Sequence, residues 1–207
     1  MPDSVLANPV SVCLASASPR RRDLLHQLGL TVHVQAVDID ETRRHGESPQ
    51  DYCVRLAVQK NRTAFERFNP TQPIVAADTI VVLGDQTLGK PLNREAVIQT
   101  LKQLSGQRHQ VMTAVAVSHR GHALYDLQIS EVCFAPIDDK WIQAYADTEE
   151  PYDKAGAYGI QGAAACFIAT ISGSYSGIMG LPLFETARLL RQLDIIAYGP
   201  QQQQQTL

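Results

Sequence analysis

The sequence predicts an α/β or mixed α+β domain, because short runs typical of strands are interleaved with segments of helical period. Its 207 residues, 44% of them hydrophobic, are enough for one compact domain, or a domain with a lobe, that buries a core. The net charge of −3 does not indicate a nucleic-acid binder, which usually has a basic face. No stretch of about 20 apolar residues is present, so no membrane span is expected.

The first elements follow from residues that begin and end helices. Apolar residues at 10–14 predict a strand, and a loop of small residues comes after it. Ser18 suits an N-cap and Pro19 suits the first helical position, so a helix is expected from Pro19 until Gly29. Alternation of apolar and polar residues at 31–37 then predicts a second strand.

A longer helix follows with the same start signal. Ser48 and Pro49 repeat the cap pattern, and Asn69 with Pro70 ends the helix after Phe68. The remaining expected elements are strand segments at 74–77 and 80–83, a hairpin turn at 84–85, a helix from Asn93 to about Leu104, strands at 110–118 and 123–134 around a turn at 120–121, a helix from Asp138, a strand at 166–171 and a last helix from Pro182 to about Leu193.

The chain is expected to form a single domain at 10–195. An extension at 1–9 precedes it, and a low-complexity tail at 196–207, rich in glutamine, is expected to be disordered. No N-terminal signal sequence is visible, which favours a cytoplasmic protein. Four cysteines without a C-x-x-C pair are expected to be reduced, buried thiols: Cys13, Cys53, Cys133 and Cys166.

The stretch LASASPRRRD at 14–23 is the first candidate site. Small residues allow a ligand to approach the backbone, and N–H groups at a helix N-terminus point toward it. Arg20, Arg21 and Arg22 place three cations in the first turn, where they oppose the helix dipole. We therefore expect an anion, as in a polyphosphate site, although a solvated basic helix start remains the alternative.

An acidic segment, DIDET at 38–42, follows the second expected strand. It matches the D-x-D-x-T nucleophile motif of haloacid-dehalogenase-type phosphatases, in which Asp38 would attack phosphorus and Asp40 would be the acid. That family needs a further acidic pair, and the candidate at 84–85 lacks the second acid. An ordinary acidic loop and metal binding through Glu41 remain the other interpretations.

Asp78 interrupts an otherwise apolar strand pattern. A buried carboxylate is costly without a partner, so a metal, a cation or a raised pKa is expected there, with a structural ion pair as the plainer alternative. Lys60 and Lys90 by themselves would be ordinary surface lysines.

Together, several long segments resemble one known family. They are LASASPRR at 14–21, AADTIV at 76–81, GKP at 89–91, DKAGAYGIQG at 153–162 and GSYSGIMGLPL at 173–183. In this order they resemble the Maf family of nucleotide pyrophosphatases over about residues 10 to 195. The resemblance implies an elongated mixed sheet flanked by helices, with two lobes around a nucleotide cleft, similar to inosine triphosphatases. It also implies hydrolysis of a nucleoside triphosphate to the monophosphate and pyrophosphate with Mg²⁺ or Mn²⁺, and a homodimer.

Within that family, the sequence most resembles the branch that acts on dTTP and UTP. The distinguishing positions are Arg20, Thr79 and Gln161. A glutamine amide both donates and accepts, so it suits the edge of a neutral pyrimidine, whereas a glutamate would favour 7-methylguanine. CTP and modified pyrimidine nucleotides are further candidate substrates, and the branch that acts on 7-methyl-GTP is the alternative.

The resemblance also implies residue roles, and it replaces the haloacid-dehalogenase interpretation because DIDET is a usual variant of the Maf acidic loop. Glu41 and Asp78 would hold the metal, with Asp78 as general base. The residues expected to bind the triphosphate are Ser16, Ser18, Arg20, Arg21, Lys60 and Lys90. A nucleotide-binding regulator of cell division that no longer hydrolyses is the alternative from another functional class.

Overall fold

The computed structural model describes residues 10–196, so the predicted extension at 1–9 and the predicted tail beyond 196 lie outside the described residues. One seven-stranded mixed sheet with helices against it occupies that range, which confirms the predicted fold class. The strands are β1 (Ser11–Leu14), β2 (Thr31–Val34), β3 (Ile74–Leu83), β4 (Gln86–Leu88), β5 (Arg108–His119), β6 (His122–Phe134) and β7 (Ile168–Ser172).

Residues 10–196 also form six helices, of which four lie between strands and two follow β7. They are α1 (Pro19–Gln27), α2 (Pro49–Phe68), α3 (Arg94–Leu104), α4 (Asp139–Ala146), α5 (Tyr175–Met179) and α6 (Leu183–Gln192), and short 3₁₀ turns span Ala155–Ala157 and Ala163–Phe167. The predicted caps are confirmed. Ser18 and Ser48 accept hydrogen bonds from backbone N–H groups of the first turns, and Asn69 ends α2 in the left-handed conformation.

The sheet order is β2-β1-β3-β5-β6-β7, with β4 paired to β3. β1 is parallel to β2 and β3, and the other pairs are antiparallel. β1 pairs with β3 only as far as Val75, and β4 begins to pair with β3 at Val81. Between these two pairings, one edge of β3 has no strand partner among the described residues. Asp78 and Thr79 lie in this gap.

The two faces of the sheet have different cores. One face is covered by α2, whose Cys53 and Ala57 pack with Ala114. The opposite face has two separate apolar clusters. The first joins β1, α1 and α6 through residues such as Leu25 and Leu190. The second joins α3, α4 and the 3₁₀ turns. A depression between two clusters on one face is a natural place for a ligand.

Some sequence predictions are wrong in detail. β2 ends at Val34 rather than 37, and the expected strand from Cys166 begins only at Ile168 because a 3₁₀ turn precedes it. Cys133 is half-buried and Cys166 is exposed, so two of the thiols expected to be buried are not. The five-residue helix α5 was not predicted. None of the helices described between 10 and 196 is long and apolar enough to cross a membrane.

Candidate active site

A cleft of about 650 Å³ opens at the gap in β3, between the two apolar clusters. All of the candidate site residues except Asp78 line it: Ser16, Ser18, Arg20, Arg21, Glu41, Lys60, Thr79, Lys90 and Gln161. Asp78 and Thr79 are neighbours on one strand and therefore point to opposite faces of the sheet. Because the strand edge is open here, side chains from both faces contribute to one site.

Lys60 of α2 joins the two candidate metal ligands. Its Nζ lies 2.6 Å from Asp78 Oδ1 and 2.6 Å from Glu41 Oε1. Asp78 is 6% exposed, so the buried carboxylate that the sequence marked as costly has a cationic partner. The acidic loop is held in place as well, since the Tyr52 hydroxyl donates to the Glu41 carbonyl at 2.7 Å.

The pKa values of the two carboxyl groups are shifted in opposite directions. Burial raises the pKa of Asp78, although Lys60 and Arg21 act against the shift. At Glu41, burial also acts to raise the pKa, but the hydrogen bond and charge of Lys60 outweigh it, and the pKa is lowered. A raised pKa makes the Asp78 carboxylate a stronger base than an ordinary aspartate, in keeping with the role that the resemblance implies for it.

Arg21 connects three separate segments of the chain. Its Nε donates to the Gly180 carbonyl at 2.8 Å, Nη1 donates to Ser16 Oγ at 3.1 Å, and Nη2 donates to Thr79 Oγ1 at 3.2 Å. Burial lowers the pKa of the Arg21 guanidinium, and the negative charge of Asp78 opposes that shift. Three of its five N–H groups are thus used within the protein, and two remain for a ligand.

A directed chain of hydrogen bonds starts at Arg21. Arg21 can only donate and the Gly177 carbonyl can only accept, so the two threonines between them are oriented. The Thr79 hydroxyl donates to Thr113 Oγ1 at 3.0 Å, and the Thr113 hydroxyl donates to the Gly177 carbonyl at 2.7 Å. Thr113 is fully buried, and nothing in the sequence pattern distinguished it from the apolar residues of its strand.

The other residues of the arginine loop have different positions. Ser18 caps α1 by accepting from Arg21 N, and Ser16 Oγ accepts from Ser18 N at 3.2 Å. Arg20 Nη1 lies 3.4 Å from Asp153 Oδ2, which belongs to the glycine-rich segment across the cleft. Arg22 pairs with Asp23 at the surface and does not line the cleft, so it matches the solvated alternative.

The opposite side of the cleft is formed by residues 150–163, here named the glycine-rich wall. A Cβ on Gly156 would lie 2.9 Å from Val81 Cγ2, and its φ of +70° is also one that glycine adopts most easily. Gln161 lines the cleft and is exposed, so its amide is available to a ligand. Lys90 is likewise exposed at the cleft.

Three cleft residues of this wall were missed by sequence reasoning. Glu150 lies just before the recognised DKAG segment, while Lys154 and Tyr158 lie within it. His109 supports Tyr158 from the core, since its Nε2 is 2.7 Å from the tyrosine hydroxyl. The position of Tyr158 inside a long family motif was the available signal, but its contact with His109 could not be found without the fold.

Two carboxylates of the cleft region could contribute ligands to one divalent metal ion. Two carboxylates with hard oxygen atoms, Glu41 and Asp78, suit Mg²⁺, which is often bound by one or two carboxylates together with substrate phosphates. No group of three or more His, Cys, Asp or Glu residues able to hold a metal is found among residues 10–196. Two carboxylates are fewer ligands than a divalent ion takes, so an ion bound by them would need further oxygen ligands.

The chain is similar in sequence to members of one protein family. A family model described as "Maf-like protein" matches residues 11–193. Proteins named "dTTP/UTP pyrophosphatase" from Escherichia coli strain K12 and from Shigella dysenteriae serotype 1 strain Sd197 are each 46% identical to this chain over 186 residues. Each alignment covers 90% of this chain and 94% of the relative.

Two solved structures are more distant. The Staphylococcus aureus Ham1 protein has 15% identity and a TM-score of 0.41, covering 60% of this chain and 72% of the other. A nucleoside-triphosphatase (dITP/XTP pyrophosphatase) from Mycobacterium abscessus has 15% identity and a TM-score of 0.40, covering 62% and 76%. With TM-scores this low, neither likeness says anything further about this site.

Proposed function

Because the chain belongs to the Maf family, we propose that it is a pyrophosphatase that hydrolyses dTTP and UTP to the monophosphate and pyrophosphate. Relatives with that name share 46% of their residues over 90% of the chain. One structural observation supports the proposal most strongly. Lys60 bridges Glu41 and Asp78 at a cleft that also contains the cations Arg20, Arg21 and Lys90. Paired carboxylates beside cations suit phosphoanhydride hydrolysis.

The cations of the cleft bind the triphosphate. Arg20 and Lys90 are partly or fully exposed and can contact phosphate oxygens directly, and Arg21 offers its two remaining N–H groups. Ser16 and Ser18 assist as hydroxyl groups next to the helix N-terminus. These residues stabilise the negative charge that develops on the leaving pyrophosphate.

Asp78 acts as the general base. Its raised pKa makes its carboxylate a better proton acceptor, and one of its oxygens takes the proton of the water that attacks the α-phosphorus. Lys60 keeps this carboxylate oriented through Oδ1. A divalent metal, Mg²⁺ or Mn²⁺, would be held by Glu41 and Asp78 and would supply neutralisation of phosphate charge and acidification of water.

Base selection is assigned to three residues that line the cleft, Gln161, Thr79 and Arg20. Gln161 would donate to and accept from a pyrimidine edge through its amide. Thr79 donates its own proton to Thr113, so it would face a ligand as an acceptor. Arg20, close to Asp153 of the glycine-rich wall, is the third residue assigned to selectivity.

A panel of nucleoside triphosphates tests this proposal. The purified protein is incubated with dTTP, UTP, CTP, GTP, ATP and 7-methyl-GTP, with Mg²⁺ and separately with Mn²⁺, and released pyrophosphate is measured. The proposal predicts the highest kcat/KM for dTTP and UTP. A preference for 7-methyl-GTP would favour the other branch, and binding without turnover would favour the regulator alternative.

Two further expectations accompany this proposal. We propose that the protein is a homodimer, which light scattering of the purified chain would show as about twice the monomer mass. Its cytoplasmic location remains a prediction that fractionation of cells can test.

A further inference from the structure

The loop that contains Gln161 wraps around one carboxylate. A Cβ placed on Gly162 would collide with the carboxyl group of Glu150, whereas one on Gly159 would collide with Lys154 Cε at 2.7 Å and lie 3.3 Å from Glu150 Oε1. Gly162 thus leaves the space that this carboxyl group occupies, and Gly159 leaves space mainly for the Lys154 side chain. Gln161 lies between the two glycines in sequence, so the position of its backbone depends on how the loop packs against Glu150.

Two donors fix the Glu150 side chain. The Tyr145 hydroxyl donates to Oε1 at 2.8 Å, and the Ala163 N–H donates to Oε2 at 2.9 Å. Tyr145 is buried in the α3/α4 core and has its pKa raised, by burial first and by Glu150 second, so its hydroxyl stays protonated as a donor. The carboxylate therefore connects a rigid core residue to the loop.

The same short segment also contacts Arg20, a second residue assigned to selectivity. Lys154 Nζ donates to the Glu150 carbonyl at 2.6 Å and to Asp153 Oδ1 at 2.5 Å, while Asp153 Oδ2 faces Arg20 across the cleft at 3.4 Å. Residues 150–154 thus contact both the loop of Gln161 and Arg20. These contacts are made by side chains that are neither catalytic nor assigned to phosphate binding.

We propose that Glu150 is a positioning residue that holds the Gln161 loop in the conformation that recognises the nucleobase. This inference rests on the proposed function and extends it to a residue with no role in binding phosphate. Removal of the two hydrogen bonds frees the loop, so nucleoside recognition weakens while the phosphate-binding residues keep their arrangement. Glu150 acts through the loop, without contact with the reacting atoms.

The test compares two ligands that occupy different parts of the cleft. Dissociation constants of α,β-methylene-UTP, which contains the base, and of inorganic tripolyphosphate, which does not, are measured by calorimetry with Mg²⁺. Because hydrogen bonds to charged groups are strong, Glu150→Ala is expected to weaken the binding of α,β-methylene-UTP about tenfold. Tripolyphosphate is expected to bind within about twofold of the wild type, and KM for UTP to rise more than kcat falls.

Matched variants distinguish the positioning role of Glu150 from an effect of its negative charge and from a loss of folding. Glu149→Ala removes the same charge at the exposed neighbouring residue and is expected to leave the dissociation constants of both ligands unchanged. Glu150→Gln keeps an oxygen for Ala163 N–H and an amide that can donate to the Tyr145 oxygen, so it is expected to restore most of the affinity. If Glu150→Ala does not fold, Tyr145→Phe, which removes one donor to Oε1, gives the same test with a smaller effect.

The two dissociation constants decide whether Glu150 positions the Gln161 loop. Equal weakening of both ligands, or no weakening of the UTP analogue in Glu150→Ala and Tyr145→Phe, overturns the positioning role. Failure of the proposed function is a different observation, because wild-type protein would then release no pyrophosphate from UTP.

Discussion

The two sides of the cleft are stabilised in different ways. The polar wall (Ser16, Arg21, Glu41, Lys60, Asp78 and Thr79) is fixed by side chains that reach between distant segments, such as Arg21 to the carbonyl of Gly180. The glycine-rich wall at 150–163 is fixed by backbone packing and by the Glu150 carboxylate.

This difference separates two properties of the site. Groups in the polar wall combine stability with catalysis, because the buried charges of Lys60 and Asp78 neutralise each other before any ligand binds. Groups in the glycine-rich wall affect which ligand is recognised, since a loop can shift without loss of a buried charge pair. Substitutions in the first wall should therefore reduce turnover and stability together, with Thr79, which is also assigned to base selection, as the exception. Substitutions in the second wall should change selectivity.

The largest effect on stability is expected at Lys60. Lys60→Met removes the ammonium between two carboxylates and leaves Asp78 buried without its partner. The free energy of unfolding is expected to fall by about 3 kcal/mol. Turnover of UTP is expected to fall about 100-fold or more, as when one stabilising donor is removed from an active site. Urea unfolding and pyrophosphate release measure the two effects.

Lys102→Met is the matched control for this prediction. Lys102 pairs with Asp139 at 3.0 Å, with side chains that are 48% and 72% exposed, so its loss should cost less than about 1 kcal/mol. Similar stability losses for the two variants would contradict the distinction between a buried polar wall and ordinary surface ion pairs.

The adjacent arginines Arg20 and Arg21 are expected to differ. Lysine cannot reproduce the three donors that Arg21 directs at separate segments, so Arg21→Lys should lower the free energy of unfolding by about 2 kcal/mol. Arg20→Lys loses only an exposed contact with Asp153 and should cost less than about 0.5 kcal/mol. Thermal or urea unfolding compares them, and equal losses would show that Arg21 does not join the segments.

A smaller effect concerns His109 beneath the glycine-rich wall. Burial lowers the pKa of His109 from 6.5 to about 4, so the folded protein holds it neutral. The unfolded chain therefore binds more protons between these values, and stability falls as the pH decreases through this window. From about pH 6 to about pH 5, the loss due to His109 is expected to be about 1 kcal/mol.

His109→Gln provides the comparison, because a glutamine amide can hydrogen-bond the Tyr158 hydroxyl without titrating. The pH slope of its unfolding free energy should be shallower than that of the wild type in the same window. Identical slopes would mean that His109 is not buried in the neutral form.

Much of the framework could be predicted from local signals. Ser48, Pro49 and Asn69 delimited α2 correctly, because caps and proline act within a few residues. The candidate residues also lie close together in the fold, since all of them except Asp78 line the cleft at the gap in β3, and their roles stay a prediction. The family prediction is confirmed by the match over 11–193.

The remainder depended on contacts between residues far apart in the chain. Arg21 bonds to Gly180, 159 positions away, and no local pattern predicts such a partner. The five residues of α5 lie among glycines that favour turns, and packing of Ile178 into the core stabilises them as a helix. Glu150 precedes the motif it supports, so only the fold shows that the loop closes around it.

Asp78→Asn tests the central claim most directly, namely that a buried base in the polar wall drives hydrolysis. Asparagine keeps the size of the side chain but does not accept the proton of water at neutral pH. We predict that kcat for UTP falls about 1,000-fold. Binding of α,β-methylene-UTP should stay within about threefold of the wild type. Turnover close to that of the wild type in a folded Asp78→Asn protein would contradict the account.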